Sequence, residues 1–178
     1  MQEYQKDLNK NDQKFADTSV KYPEEINFSK NTDISYRWFY KSYNSNTSEI
    51  QAILQYTTQH SIYSNIADVL IGIGITEMHH AKKLGDLIIS LGGELNSMQD
   101  YIGIGVKIGN SWQEAVKLNI EGEHAAIKEY NYILRSLQFC KESEEKKYCI
   151  DLVNKLIADE KLHIKILENL LKVKSGVR

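Results

Sequence analysis

Three Glu-x-x-His pairs stand out in the sequence: Glu77/His80, Glu121/His124 and Glu160/His163. With 15 glutamates and 5 histidines among 178 residues, random placement gives roughly 0.4 such pairs, so three copies indicate a shared role. On a helix, positions i and i+3 lie one turn apart on the same side, and both side chains of a pair can reach one site. A carboxylate and an imidazole placed this way are suitable ligands for a divalent metal ion.

Two of the pairs interrupt apolar helix faces. Alternating steps of three and four residues connect Ile66, Leu70, Ile73, Glu77, His80, Leu84, Leu87 and Leu91. The same steps connect Cys149, Val153, Leu156, Glu160, His163, Leu167 and Leu170. Faces with this period turn toward a core. Burying a carboxylate there is costly unless a partner such as a metal ion compensates its charge.

The two interrupted faces predict a cage of four carboxylates and two imidazoles inside a four-helix bundle. Two further helices must each supply one glutamate, and Glu49 and Glu121 are the candidates. Mixed oxygen and nitrogen ligands favour iron or manganese, whereas a structural zinc site would use thiolates. Cys140 and Cys149 lack CxxC spacing, and we interpret them as reduced thiols.

The elements that position these residues are predicted to be helices, because the chain has a single proline and few glycines. The expected helices cover about residues 33–60, 64–91, 111–140 and 143–172. The polar residues 42–48 leave a break in the first helix open, and residues 92–110 form a long connection. Gly92 is expected to end the second helix, Ser111 to cap the third in a capping box, and Gly72 and Gly74 to allow close packing against a neighbouring helix.

The fold class is therefore predicted to be all-α. Residues 1–32 are polar and are expected to form an extension, partly flexible or laid over the surface, while residues 33–178 form the bundle. The 22 basic and 24 acidic side chains give a net charge of −2, and no basic block points to nucleic acid. No apolar run is long enough to span a membrane, and the N-terminus lacks the apolar region of a secretory signal. We therefore expect a cytoplasmic protein.

Three segments carry a family resemblance: Glu49-Ile-Gln-Ala-Ile-Leu-Gln-Tyr56, Glu77-Met-His-His80-Ala and Asp159-Glu160-Lys-Leu-His163-Ile. They resemble the ferritin-like superfamily, in its bacterioferritin and rubrerythrin branch, over about residues 33–172. The resemblance implies a ferritin-like four-helix bundle with a long crossover between helices two and three, and two iron ions or, alternatively, two manganese ions. It also implies that Glu77 and Glu160 bridge the metals, with Glu49 and His80 terminal on one ion and Glu121 and His163 terminal on the other.

The same resemblance implies roles for three further residues. Tyr56 matches a tyrosine that lies beside the site in bacterioferritins. His124 falls at the third position after Glu121, where rubrerythrins carry an additional glutamate, and it is a candidate ligand or proton donor. Met78 lies where bacterioferritins place a haem-binding methionine. One residue from Glu77 turns it by about 100° off the metal face, so we expect an apolar dimer contact and no haem.

The function implied by the resemblance is a non-haem di-iron or dimanganese oxidoreductase that reduces hydrogen peroxide or dioxygen. The chain has no paired CxxC motifs, unlike rubrerythrins with a rubredoxin domain, so electrons would come from a separate redox protein. Only 15 residues follow His163, which favours a homodimer over a storage cage. The alternatives are ferritin-like iron oxidation and storage, a dimanganese catalase, and a metal-free bundle in which the buried glutamates and histidines pair with one another.

Overall fold

The computed structural model describes residues 14–29, 31–95 and 106–175, and within them the regular secondary structure is helical. The helices are α1 (Arg37–Tyr43), α2 (Glu49–Ile62), α3 (Ala67–Ser90), α4 (Trp112–Leu137) and α5 (Glu144–Ser175). A 3₁₀ turn at Ser64–Ile66 joins α2 to α3. The all-α prediction is confirmed, and α2 to α5 form a four-helix bundle. None of the described helices combines the length and apolar composition that crossing a membrane requires.

The bundle consists of two helix pairs joined by a crossover. Helix α2 packs mainly on α3, and α4 packs mainly on α5. The Tyr63 hydroxyl donates to the Gly109 carbonyl at 2.7 Å, and Gln59 Nε2 donates to the Lys107 carbonyl at 2.9 Å. Residues just before α4 therefore lie at the end of α2, which adjoins the start of α3. Because α3 ends at the far end of the bundle, the two ends of the predicted crossover lie at opposite ends of the bundle; residues 96–105 between them lie outside the described residues.

The break predicted as an alternative in the first helix is present. Helix α1 ends at Tyr43, and α2 begins at Glu49. Hydroxyl groups in the intervening segment bond to the backbone: Ser48 Oγ donates to the Ser45 carbonyl at 2.7 Å and accepts from Gln51 N at 3.4 Å. Such local bonds compete with helical hydrogen bonding and favour a helix start. They place Glu49 in the first turn of α2.

The predicted end of the second helix at Gly92 and the Ser111 cap are confirmed, but the capping box is not, because the Glu114 carboxylate accepts from Asn110 N at 2.8 Å instead of from Ser111 N. Gly92 has φ +79° and donates to the Ile89 carbonyl, while Gly93 donates to the Ile88 carbonyl at 2.8 Å. This pair of bonds is a Schellman motif, which closes α3 where the left-handed glycine is required. At the start of α4, Ser111 Oγ accepts from Glu114 N at 3.2 Å.

The apolar core lies on both sides of a polar layer. One cluster contains Phe39, Leu84, Leu87, Ile133 and Leu152 among others, and the other is built around Leu70, Ile73, Val116 and Leu167. Along α3 the polar pair Glu77/His80 falls between Ile73 and Leu84. The predicted stripe of α3 is thus buried as expected, with its charged interruption enclosed by apolar layers.

The N-terminal extension is more deeply inserted than predicted. Phe15 and Ala16 are only 5% and 4% exposed, and the Phe15 ring belongs to the core cluster around Leu70. A Cβ on Gly72 would lie 2.2 Å from this ring, whereas a Cβ on Gly74 would lie 3.2 Å from Tyr56 Cβ. The expectation of helix packing is confirmed for Gly74 and wrong for Gly72, which makes room for the extension. Residues 1–13 lie outside the described residues.

Candidate metal centre

Six ionisable side chains meet in the polar layer of the bundle. They are Glu49 of α2, Glu77 and His80 of α3, Glu123 of α4, and Glu160 and His163 of α5, and all are buried. Their ligand atoms form two groups, Glu49/Glu77/His80/Glu160 and Glu77/Glu123/Glu160/His163, and within each group the atoms lie within 4.8 Å of one another. Because Glu77 and Glu160 belong to both groups, the structure provides two adjacent cation positions that share two carboxylates.

The first group is arranged around the Nδ1 atom of His80. This nitrogen lies 3.1 Å from Glu77 Oε2, 3.3 Å from Glu160 Oε1 and 3.7 Å from Glu49 Oε2. Helical spacing brings Glu77 and His80 to the same side of α3, one turn apart. Three carboxylates and one imidazole nitrogen thus converge on one point.

The second group repeats this arrangement around the Nδ1 atom of His163. That nitrogen lies 2.9 Å from Glu77 Oε1, 3.1 Å from Glu160 Oε2 and 3.8 Å from Glu123 Oε1. The two imidazole rings are nearly parallel, at 28°, with centroids 6.0 Å apart. The site therefore has an approximate two-fold symmetry that follows the repeated Glu-x-x-His pattern of α3 and α5.

Two carboxylate oxygens at the centre of the site accept no hydrogen bond. Glu77 Oε1 and Glu160 Oε1 are buried without a hydrogen-bonding partner, although imidazole nitrogens lie 2.9 and 3.3 Å from them. Buried acceptors left without a donor are costly. Two cations between the four carboxylates would use these lone pairs, so the donor set fits a pair of divalent metal ions.

The pKa values of the carboxyl groups separate into two pairs. Burial, followed by the charges of Glu77 and Glu160, raises the pKa of Glu49 well above its ordinary value, and burial does the same for Glu123. Burial also acts to raise the pKa of Glu77 and Glu160. The nearby imidazoles outweigh that effect, so both values are lowered. Without metal, burial thus favours the neutral acid at Glu49 and Glu123, whereas the imidazoles favour the ionised form of Glu77 and Glu160.

The imidazoles balance the ionised pair. Burial would lower the pKa of His80 and His163, but neighbouring acidic groups, Glu77 among them, raise both values well above the ordinary one. Imidazolium forms of the two histidines would balance the charge of ionised Glu77 and Glu160. Two divalent cations among four carboxylates and two neutral imidazoles sum to zero charge, so a bound metal pair would bury no net charge.

Each histidine is fixed by a hydrogen bond on the nitrogen that faces away from the site. His80 Nε2 donates to Asp159 Oδ2 at 3.1 Å, and His163 Nε2 donates to the backbone carbonyl of Phe15 at 2.8 Å. A carbonyl oxygen can only accept, so His163 carries its proton on Nε2. In each ring Nδ1 is then the nitrogen available to a metal, and the outer partner sets the orientation of the ring.

Two tyrosines bond to the outer carboxylates in a crossed pattern. The Tyr56 hydroxyl of α2 donates to Glu123 of α4, and the Tyr130 hydroxyl of α4 donates to Glu49 of α2. Each tyrosine lies seven residues after the glutamate of its own helix. Tyr56 is thus beside the site, as the sequence predicts. Tyr130 was not predicted, although the repeated Glu-x₆-Tyr spacing marks it.

The assignment of Glu121 as a ligand is wrong in this structure. Glu121 is exposed, and Glu123 occupies the place predicted for it. Two residues along a helix correspond to a rotation of about 200°, so the two side chains leave opposite sides of α4. His124 is exposed as well and does not belong to either ligand group. The third position after Glu123 is Ala126, which offers no ligand atom.

A cavity of about 160 Å³ connects the site with solvent between α2 and α4. Glu49, Glu77, Glu123 and Tyr56 line its inner part, and Glu121 lines it as well.

One end of the cavity is closed by a ring of hydrogen bonds. Gln55 Nε2 donates to Asn119 Oδ1 (2.8 Å), and Asn119 Nδ2 donates to Gln59 Oε1 (2.7 Å). Gln59 Nε2 donates to the Lys107 carbonyl (2.9 Å), and Lys107 N donates to Gln55 Oε1 (3.0 Å). Away from this closed end, the cavity gives a small molecule a route to the terminal carboxylates between α2 and α4.

Met78 points away from the ligand groups and is 39% exposed. Its role as a dimer contact stays a prediction.

Cys140 and Cys149 are buried free thiols, and burial raises the pKa of Cys149 to about 12, which keeps this thiol protonated.

Known proteins share both the sequence pattern and the fold. A family model described as rubrerythrin matches residues 43–171, which include all six residues of the site. Bacterioferritin from Mycobacterium bovis (strain ATCC BAA-935 / AF2122/97) is 28% identical over 133 residues, which cover 71% of this chain and 79% of that protein. Bacterioferritin BfrA from Mycobacterium tuberculosis (strain ATCC 25618 / H37Rv) matches with the same identity and coverage. The solved structure of Mycobacterium tuberculosis bacterioferritin, BfrA, aligns with a TM-score of 0.67 at 24% identity, covering 80% of this chain and 86% of that chain, and shows a common fold.

Proposed function

We propose that this chain, which belongs to the rubrerythrin family, is an oxidoreductase that reduces hydrogen peroxide or dioxygen at a carboxylate-bridged di-iron centre. The observation that carries the proposal is the pair of buried ligand groups that share Glu77 and Glu160 and adjoin a cavity open to solvent. Two bound iron(II) ions would supply the two electrons that convert one hydrogen peroxide and two protons into two waters.

The side chains of the site have distinct tasks in this proposal. Glu77 and Glu160 hold the two ions close together, while Glu49 and Glu123 complete one position each. The Tyr56 and Tyr130 hydroxyls fix the outer carboxylates by hydrogen bonds. The surrounding apolar layers exclude bulk water, so charges inside the site interact more strongly than they would in solvent.

Oxidation of iron as the substrate is a second candidate function. It is favoured by Ala126, which stands where the rubrerythrin pattern implies an additional glutamate, and by the relatives that are bacterioferritins. The cavity between α2 and α4, with Glu121 in its lining, gives iron(II) a route to Glu49 and Glu123. In this case iron passes through the site and accumulates as iron(III).

Other parts of the proposal rest on the resemblance. By the same resemblance, we infer that a separate redox protein returns electrons to the centre. The ligand set accepts manganese as well as iron, so a dimanganese catalase is a variant of the same proposal. A cytoplasmic homodimer with Met78 in its contact stays a prediction.

The experiment that tests the function is metal analysis followed by an assay of peroxide consumption. Protein purified without added metal is analysed for metal content and then loaded anaerobically with iron(II). We expect two iron ions per chain and the consumption of one peroxide per two iron(II), with turnover only when an external reductant is present. Continued uptake of iron(II) beyond two ions per chain would favour iron oxidation, and consumption by manganese-loaded protein without reductant would favour a catalase.

A matched pair of variants on α5 provides the control. Glu160→Gln alters a shared carboxylate, whereas Glu168→Gln alters an exposed one two turns later. We expect Glu160→Gln to abolish turnover and Glu168→Gln to preserve it. Inertness of the iron- and manganese-loaded protein alike would count against the enzyme.

A further inference from the structure

Residues 14–22, which we call the N-terminal strap, lie over the two site histidines on the side away from the metal positions. The strap precedes the region that the family model matches, which begins at residue 43. It is nevertheless connected to both imidazoles, directly to His163 and through Asp159 to His80.

On the His163 side, Nε2–H donates its hydrogen bond to the Phe15 carbonyl of the strap at 2.8 Å, the one acceptor for this nitrogen among the described residues. On the His80 side, the equivalent acceptor is a side chain, Asp159, which directly precedes Glu160 on α5. The residue that directly precedes Glu77 on α3 is Thr76, and its hydroxyl donates to Gly72 of its own helix at 3.4 Å. The approximate two-fold symmetry of the site therefore does not extend to the hydrogen-bond acceptors of the two histidines. His80 Nε2 has a side-chain acceptor on α5, whereas His163 Nε2 has a backbone carbonyl of the strap.

The strap is held there by a shaped hollow. The Phe15 ring is buried against Gly72, where any Cβ would lie 2.2 to 2.6 Å from three of its carbon atoms. Real side chains do not approach that closely, so the glycine leaves the space that the ring fills. Seating the ring in this hollow positions the adjacent backbone carbonyl over His163.

The strap also holds the acceptor of His80. The Asp17 amide donates to Asp159 Oδ1 at 2.6 Å. Lys155 Nζ bonds both to Asp159 Oδ1 at 2.7 Å and to the Asp17 carbonyl at 2.8 Å. The Tyr22 hydroxyl lies 3.4 Å from Asp159 Oδ2. Asp159 and Lys155 are both buried, while Asp17 and Tyr22 are half-buried, so the strap forms the outer side of the network around this carboxylate.

We propose that the N-terminal strap is a positioning element of the di-metal centre, which orients His163 through the Phe15 carbonyl and fixes Asp159 behind His80. The two metal positions are then unequal. The position that uses His80 is backed by a carboxylate of α5, whereas the position that uses His163 depends on a neutral carbonyl that is present only while the strap is seated. This inference rests on the proposed function insofar as it requires two metal ions in the site.

Phe15→Ala tests the strap, with cobalt(II) as the probe. Equilibrium dialysis counts the bound ions, and proton NMR of the cobalt-loaded protein detects the exchangeable Nε2–H of each ligating histidine as a separate shifted signal. In the unmodified protein we expect two ions and two such signals. In Phe15→Ala we expect one signal to be lost to solvent exchange and the affinity for one ion to fall by about tenfold or more, because outer partners of ligating histidines have effects of that size.

Phe28→Ala is the matched control. It removes the same side chain from the same extension, but Phe28 lies outside the strap and packs on Tyr148 with ring centroids 5.4 Å apart. We expect Phe28→Ala to keep both signals and both ions, and Phe15→Leu, which can still fill the hollow, to restore them. A Phe15→Ala protein that matches Phe28→Ala in both measurements would overturn the role of the strap.

Gly72→Ala displaces the ring from the other side and completes a double-mutant cycle. If the hollow serves the ring, Gly72→Ala weakens cobalt binding when Phe15 is present and has little effect when residue 15 is alanine. Additive effects of the two substitutions would contradict the proposal.

Hydrogen exchange in the unmodified protein supplies a test that needs no variant. Because linkage is reciprocal, cobalt loading should slow exchange of the Asp17 amide, and an unchanged rate would refute the coupling. An unmodified chain that binds fewer than two cobalt ions would overturn the di-metal centre and the strap's role together. Two ions that are insensitive to Phe15→Ala would overturn the strap's role alone.

Discussion

Replacing Glu123 by glutamine allows two effects of this buried carboxylate to be measured separately, its contribution to metal binding and its effect on the stability of the metal-free fold. Glu123 is 4% exposed and accepts a hydrogen bond from Tyr56. Burial, with the charges of Glu160 and Glu77, raises its pKa well above the ordinary value. Burial thus favours the neutral acid of Glu123 in the metal-free protein, and glutamine imitates that form in shape and charge.

The expected magnitudes follow from this difference. In the metal-free protein Glu123→Gln keeps an oxygen that can accept from Tyr56, so the free energy of unfolding at neutral pH should change by no more than about 1 kcal/mol, the net value of one hydrogen bond. In the metal-bound protein the substitution removes one charged ligand. Removing one partner from a buried charged group costs about 3 kcal/mol, which corresponds to a loss of roughly 100-fold in affinity for the ion beside His163.

The assay uses manganese(II), which stays divalent during anaerobic equilibrium dialysis, together with urea denaturation of the metal-free protein. Glu121→Gln is the matched control, because Glu121 is an exposed residue of the same helix. It should leave two ions bound and change the free energy of unfolding by less than about 0.5 kcal/mol. Loss of an ion from Glu121→Gln, or two tightly bound ions in Glu123→Gln, would refute the assignment of the α4 ligand.

Three further predictions concern the same layer of the bundle. Tyr130→Phe removes the hydroxyl that donates to buried Glu49 and should lower the free energy of unfolding by about 1 to 2 kcal/mol in urea denaturation; an unchanged midpoint would show that this bond contributes nothing. The metal-free protein should lose thermal stability as pH rises above about 6.5. The pKa values of His80 and His163 are raised on folding. The stability that these two groups contribute is fully present below their pKa in the unfolded chain and is lost as pH rises through their pKa values in the folded protein. Metal-loaded protein should show a much smaller decline, and equal slopes for the two forms by calorimetry would contradict this. His124→Ala should leave two manganese ions bound and change the free energy of unfolding by less than about 0.5 kcal/mol, since the side chain is exposed. Loss of an ion would show that His124 is a metal ligand after all.

Periodicity predicted the fold and four of the six site residues, because these four interrupt regular stripes, and Glu49 followed as the glutamate that a further helix must supply. It failed for α4. There the prediction followed the Glu-x-x-His spacing of Glu121 and His124 and did not ask which side of the helix faces the core. The buried stripe of α4 runs through Val116, Asn119, Glu123, Ala126, Tyr130, Ile133 and Leu137, again by threes and fours. This stripe includes Glu123 and excludes Glu121. The sequence thus contained the stripe that identifies Glu123. The structure shows which glutamate faces the core, because Glu123 is buried and Glu121 is exposed.

The strap, in contrast, leaves no local signal. The contact between Phe15 and His163 joins residues 148 positions apart, and the polar composition around Phe15 favours an exposed segment. A single aromatic residue is inserted into the core because Gly72 leaves a hollow of matching shape. Helical periodicity cannot reveal such a pairing, since it depends on the distance between two elements and not on the pattern of either one.

The ring of hydrogen bonds among Gln55, Asn119, Gln59 and Lys107 gives the bundle one face that differs from the others in how it responds to water. The α2–α4 seam is held at this point by four polar hydrogen bonds that water can replace, whereas α2 with α3 and α4 with α5 form the main packed pairs. We expect local opening of the bundle to cost least at this seam, beside the terminal carboxylates. Under the proposed function, ions and small oxidants would pass there while the two helix pairs keep the shared ligands in register.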